Sequence, residues 1–218
     1  MQVFNSSSRV RAKARSNGSS AREPHGLQYL LTRLRSEING PNGGSVLAFT
    51  SANPGEGVSY VVKSIGQKLA AQTGRRTLVV DARRLRQLGV ADFMNMPESC
   101  EPAKSPNLWL LPHKSNGKPH DQKLAGEPDA EWALSHLQAL SATFSYTLID
   151  CPSINASYEA AMLAPEVDGV VLVVEADRTK REQILRARQT IEMADGKLMA
   201  LVLNKRRHVV PEWLYRRL

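Results

Sequence analysis

The chain has 218 residues, a net charge of +8 and a hydrophobic fraction of 42%. That length supports one α/β domain with a sizeable core, and no apolar run reaches the roughly 18 residues of a membrane-crossing helix. Cys100 and Cys151 lack metal-ligand or disulfide-framework spacing and the N-terminus lacks the apolar block of a signal peptide, so a reducing cytosol is the expected compartment.

Residues 1–22 are polar, Ser/Asn-rich and basic, with Arg9, Arg11, Lys13, Arg15 and Arg22 and no acidic residue. They read as a disordered basic tail able to touch an anionic membrane surface. Leu27, Leu30, Leu31 and Leu34 then recur at helical spacing and predict an amphipathic helix over 25–37, which the turn residues of 39–44 terminate. Apolar runs predict strands over 45–50, 77–81, 108–111, 146–150, 169–175 and 198–204. Helical patterns alternate with them over 58–73, 130–142, 157–163 and 180–194. Polar, Pro-containing stretches over 84–107 and 113–129 read as loops or short helices. Continuous apolar strands alternating with helices predict a mostly parallel sheet with helices on both faces, a three-layer α/β fold over 23–218.

Three segments carry chemistry. The first, Ala52-Asn53-Pro54-Gly55-Glu56-Gly57-Val58-Ser59, follows a strand and opens a helix. Glycines at such a corner let backbone N–H groups close around phosphate, and Ser59 stands where a hydroxyl would meet Mg²⁺. The other two are strands that end in a carboxylate, at Asp81 and at Asp150. Ligands of parallel sheets bind at that strand edge, and a strand-terminal Asp of this kind orients Mg²⁺ or its water. Each segment alone also fits an ordinary turn or helix cap; the three in this order form a nucleotide-site pattern.

With "VLAFTSANPGEG", "TLVVDA", "YTLIDCP", "DGVVLVVEA" and "LVLN" in that order, the chain resembles the cytoplasmic ATPase domain of bacterial tyrosine autokinases (BY-kinases) of capsule and exopolysaccharide synthesis. These are relatives of the MinD/ParA P-loop ATPases. The resemblance runs from about residue 23 to residue 218 and implies a P-loop NTPase-like fold. It implies nucleotide contacts from Asn53, Pro54, Gly55, Glu56, Gly57, Val58, Ser59 and Tyr60, with Asn204 near the base. It also implies Mg²⁺ at Ser59, Asp81 and Asp150. A membrane polysaccharide co-polymerase, or chain-length regulator, is the implied partner, and a homo-oligomer the implied assembly. The helix over 25–37 is the implied subunit contact.

The departures bear on catalysis. Val58 stands where a Walker lysine would meet the β- and γ-phosphates, Arg83 replaces the second Asp of an Asp-Ala-Asp motif, and three residues follow Tyr215 where a tyrosine-rich tail is usual. A charge-assisted hydrogen bond contributes about 1.5–3 kcal/mol and one preorganised donor about 10²–10³ in rate. Weakened ATP binding and very slow phosphoryl transfer are therefore expected. Arg83, beside Asp81, is the candidate to return the lost positive charge; Lys63, a turn beyond Ser59, is expected to point away. Two alternative functions follow: an active protein-tyrosine kinase with atypical phosphate contacts through Asp81, Asp150 and Arg83, and a ParA-like DNA-associated ATPase. The second rests on the +8 charge alone, and without a nucleic-acid motif nucleic acid is not the expected partner.

Overall fold

A computed structural model describes residues 2–5, 32, 44–86, 101–102, 105–111 and 130–206. Its elements in chain order are β1 (Gln2–Asn5), β2 (Ser45–Ser51), α1 (Val58–Thr73), β3 (Thr77–Asp81), α2 (Ala82–Leu85), β4 (Glu101–Pro102) and β5 (Leu108–Leu111). Then follow α3 (Ala130–Thr143), β6 (Tyr146–Asp150), α4 (Glu159–Leu163), β7 (Gly169–Glu175), α5 (Arg181–Met193) and β8 (Leu198–Asn204). The strands form one sheet in the order β1-β8-β7-β2-β6-β3-β5-β4. The six strands from β8 to β5 run parallel, and antiparallel β1 and β4 flank them.

The sheet is buried on both faces because alternate residues of its central strands meet different helices. Val46 and Ala48 of β2 join one apolar cluster, with Leu137 of α3, Leu163 of α4 and Ile191 of α5. Leu47 and Phe49 join the other, with Val61, Ile65 and Leu69 of α1. This is the expected three-layer arrangement. All seven residues of β2 are buried, as suits a strand in mid-sheet.

The composition gave no sign of three short elements. Residues Gln2–Asn5, within the stretch read as a disordered tail, form a strand, pairing Gln2 with Leu203 and Asn5 with Ala200. β4, only two residues long, pairs with β5, and α2 follows Asp81 directly. Edge strands this short draw their regularity from the neighbour they pair with, so periodicity cannot reveal them. The predicted helix over 25–37, most of 84–107, and 113–129 lie largely outside the described residues.

The register sets the site. Asp81 pairs with Asp150 across β3 and β6, and Phe49 pairs with Asp150 across β2 and β6. Residues in register on parallel neighbours point to the same side of the pleat, roughly 4.8 Å apart. Both aspartates therefore stand together at the carboxyl edge, beside the loop that leaves β2.

Candidate nucleotide site

Residues 52–57 connect β2 to α1, and the turn needs glycine twice. Gly55 has φ 83° and Gly57 φ 92°. A Cβ on Gly57 would stand 2.4 Å from Asn204 Nδ2, so a side chain there meets both strain and a clash. Gly57 caps α1, whose first turn faces the strand edge.

The loop is held from below by a buried carboxylate. Glu56, 3% exposed, accepts from the Ala52 N–H (3.0 Å), Asn53 Nδ2 (2.9 Å) and the Thr179 hydroxyl (2.5 Å). Asn53 in turn accepts from Gln183 Nε2 at 2.9 Å. Asn204 Nδ2 donates to the Glu56 carbonyl at 2.9 Å, and Lys205 Nζ donates to the Gly55 carbonyl at 2.6 Å. The segment after β6 is strapped to β2: Cys151 N–H donates to Phe49 O (2.8 Å), Ile154 N–H to Ser51 O (2.9 Å) and Thr50 Oγ1 to Pro152 O (2.6 Å).

Between these two loops lies a cavity of about 440 Å³. Its walls are Ser51, Pro54, Gly55 and Gly57 to Ser59 on one side, Asp81 and Arg83 on the second, and Asp150 to Ser153 with Ala156 and Ser157 on the third. Of the residues marked in the sequence, Pro54, Gly55, Gly57, Val58, Ser59, Asp81, Arg83 and Asp150 thus meet at one place. Asn53, Glu56, Tyr60 and Asn204 stand outside those walls. The first, second and fourth brace the loop, whereas Tyr60 is 71% exposed on α1. Val58 is 9% exposed and packs with Leu47, Phe49 and Val61 in the apolar cluster beneath α1.

Burial raises the Asp150 carboxyl above the ordinary range; the hydrogen bond from Ser59 opposes this, the Asp81 charge adds to it, and the Lys63 and Arg83 charges pull it down. Both cations therefore act on the site electrostatically, although Lys63 is itself exposed. Burial pushes the neighbouring Cys151 thiol well up, with Asp150 the next cause, so it is an inert wall. Asp81 Oδ1 is engaged by the Arg83 N–H at 2.8 Å, which caps α2.

A divalent cation fits this donor set. Asp150 is a partly buried carboxylate next to a second carboxylate and a hydroxyl, the oxygen chemistry Mg²⁺ takes. Among the described residues no cluster of three or more His, Cys, Asp or Glu side chains gathers as a closed metal cage. An ion there would rest on Ser59, Asp150 and Asp81, with phosphate oxygens and water completing its shell.

The sequence did not single out Thr179, Gln183, Glu175 or Lys205. Glu175 and Lys205 stand at the carboxyl ends of β7 and β8, Thr179 follows β7 and Gln183 lies in the first turn of α5, and only the pairing of those strands beside β2 brings them to the loop.

No family model matches the chain. It is 29% identical over 177 residues to "Tyrosine-protein kinase CpsD" of Streptococcus agalactiae, covering 73% of this chain and 75% of the relative. Over 166 residues it is 26% identical to "Tyrosine-protein kinase YwqD" of Bacillus subtilis (strain 168), covering 71% and 70%. A third relative, "Succinoglycan biosynthesis transport protein ExoP" of Rhizobium meliloti (strain 1021), is 26% identical over 73% of this chain but only 22% of its own length. Among solved structures, the kinase domain of the Escherichia coli tyrosine kinase ETK superposes with a TM-score of 0.63 at 16% identity, over 91% of this chain and 86% of that one. The BceF tyrosine kinase domain gives 0.63 at 18%, over 82% and 76%. The cell-division ATPase MinD of Pyrococcus furiosus gives 0.56 at 17%, over 80% and 79%. The fold is thus the P-loop fold shared by these kinase domains and MinD-like ATPases, and the sequence relatives are tyrosine-protein kinases and a succinoglycan biosynthesis transport protein.

Proposed function

We propose that this chain, which fits the cytoplasmic domain of the BY-kinases in fold and in sequence relatives, is a nucleotide-binding protein of exopolysaccharide synthesis with weakened phosphoryl transfer. The observation that carries the reading is the cavity of about 440 Å³ enclosed by the glycine loop, Asp81 and Asp150. A nucleoside di- or triphosphate would lay its phosphates along the N–H groups of Gly55 to Ser59 at the start of α1. Mg²⁺, when bound, would supply positive charge between phosphate oxygens and the two carboxylates. Ser59 and Asp150, already hydrogen-bonded to each other, hold the oxygen donors in place beforehand. Val58 adds no charge where the β- and γ-phosphates would lie, so binding outlasts catalysis: backbone donors remain, and the transition-state charge loses a partner.

The functional setting comes from the relatives. One carries "succinoglycan biosynthesis transport" in its name, and the chain matches 22% of that protein. We carry this over as a cytoplasmic role beside a membrane polysaccharide co-polymerase, with self-association and with the basic tail as a candidate membrane-surface contact. No helix among the described residues is long and apolar enough to cross a membrane.

Calorimetry with ADP and ATP, with and without Mg²⁺, tests the reading. Binding strengthened by Mg²⁺, with transfer of labelled phosphate at or near background, is the expected result; no nucleotide binding under either condition would overturn it. Arg83 in the cavity wall favours a second reading, an active tyrosine kinase whose lost lysine is replaced from α2. Under that reading labelled phosphate reaches tyrosine, and Arg83→Ala and Asp81→Asn abolish the transfer. Retained transfer in Arg83→Ala excludes it.

A further inference from the structure

The carbonyls of the glycine loop have donors behind them. Asn53 O accepts from Ser51 Oγ at 2.8 Å, Gly55 O from Lys205 Nζ at 2.6 Å, and Glu56 O from Asn204 Nδ2 at 2.9 Å. No peptide bond among the described residues is cis. In a planar trans unit the N–H points opposite its carbonyl. The N–H groups of Glu56 and Gly57 are therefore turned away from Lys205 and Asn204, as a concave nest for an anion requires. The chain strains to set this up: Lys205 is a non-glycine residue with φ 54°, in the left-handed region. Its half-exposed ammonium also meets Glu175 Oε2 at 3.0 Å, which places it between the end of β7 and the loop.

We propose that Lys205 is the cation on which this phosphate loop relies, acting through the Gly55–Glu56 peptide rather than by touching phosphate. The proposal rests on the reading of the cavity as a phosphate site. An ammonium that donates to Gly55 O draws electron density along the peptide unit and makes the Glu56 N–H a stronger donor on the opposite side. Val58 brings no charge to the loop, and Arg83 stands on the wall shared with Asp81. Lys205 is a positioning residue: it orients and polarises the loop from behind, and Glu175 holds it there. The lowered Glu175 carboxyl, with the hydrogen bond from Lys205 as its first cause, accords with that pairing.

The test is calorimetry of the full chain with inorganic pyrophosphate and with ADP, without Mg²⁺ so that no metal bridges ligand and carboxylates, beside thermal melting of the unliganded protein. Lys205→Met is expected to weaken pyrophosphate binding about tenfold, the size of one charge-assisted contact, with the melting temperature of the free protein shifted by less than about 3 °C. Lys205→Arg keeps the donor and its charge and should bind within about threefold of wild type. Glu175→Gln removes the carboxylate that holds Lys205 and should weaken pyrophosphate binding, by less than Lys205→Met does because the ammonium itself remains. Adding Val58→Lys to Lys205→Met should restore the lost affinity. Pyrophosphate binding by Lys205→Met equal to wild type overturns the proposal and leaves the phosphate site standing, and so does Lys205→Arg binding as weakly as Lys205→Met. If the wild-type chain binds only with Mg²⁺, the same variants are compared with Mg²⁺ present; failure to bind either ligand with Mg²⁺ as well as without it overturns the phosphate site and the proposal together.

Discussion

Val58 and Asp150 pull the site in opposite directions, the first toward what folding alone would select and the second away from it. Val58 lines the cavity yet belongs to the apolar cluster with Leu47, Phe49 and Val62, so it serves the core where a lysine would serve phosphate. Val58→Lys is expected to tighten ADP about tenfold, one charge-assisted hydrogen bond. It should also lower the melting temperature by roughly 2–4 °C, because about 1 kcal/mol of apolar packing is lost. Calorimetry alongside a thermal scan checks both, and unchanged affinity would mean that a lysine at 58 does not reach phosphate. Asp150 shows the converse. Its carboxyl is raised above the unfolded value of 3.8 by burial. A raised folded value gives stability that is complete below the unfolded pKa and is lost as pH rises through the folded one. The raised carboxyl therefore costs stability as pH rises above its unfolded value, and Asp150→Asn should melt higher than wild type at pH 7, an advantage that shrinks on acidification toward pH 4. Saturating Mg²⁺ and ADP should reverse the order by stabilising wild type alone. Melting curves at both pH values, with and without ligand, decide; a variant that melts lower than wild type at pH 7 would contradict the burial argument.

Between elements, the decisive contact is that of the β2–α1 loop with the start of α5. Glu56 collects donors from Ala52, Asn53 and Thr179, and Gln183 reaches Asn53 from α5. Glu56→Gln turns one acceptor oxygen into a donor facing other donors. One bond is lost and a buried polar group is left unpaired, at about 2–3 kcal/mol. The expected fall in melting temperature is about 5–10 °C, with faster amide exchange over residues 52–57 than over β2. Exchange unchanged in that loop would show that the carboxylate is not its brace. The same contact marks the limit of sequence reading. Strands such as Leu108–Leu111 and Tyr146–Asp150 stand where their apolar runs lie, since a strand covered on both faces must be apolar throughout. The glycine turn and the two terminal aspartates were legible for a similar local reason. Thr179, Gln183 and Lys205 were not: their partners lie 123, 130 and 150 residues away, and nothing nearby in the chain signals a contact made by sheet order alone.

At the scale of the molecule, the sheet must close its edges while the protein keeps a charge of +8. Net charge keeps copies apart at long range, but an open strand edge would attract them at short range. β4 covers β5 on one side, and β1 covers β8 on the other, by antiparallel pairing from Gln2–Leu203 to Asn5–Ala200. β8 leads through Asn204 directly into Lys205, so its edge is continuous with the brace of the glycine loop. Deleting residues 1–5 should therefore have two linked effects. The bared N–H and C=O groups of β8 should drive concentration-dependent association, read as a rise in mass by light scattering between low and high micromolar protein. Fraying of β8 should also loosen Asn204 and Lys205, and weaken ADP about threefold to tenfold, within the range of one or two strained hydrogen bonds. Raising the salt should worsen association by screening the positive charge, and leave the loss of affinity in place, because that loss arises from geometry. A truncated chain with the mass and ADP affinity of the full one would mean that β8 holds its shape, and the loop behind it, without the N-terminal strand.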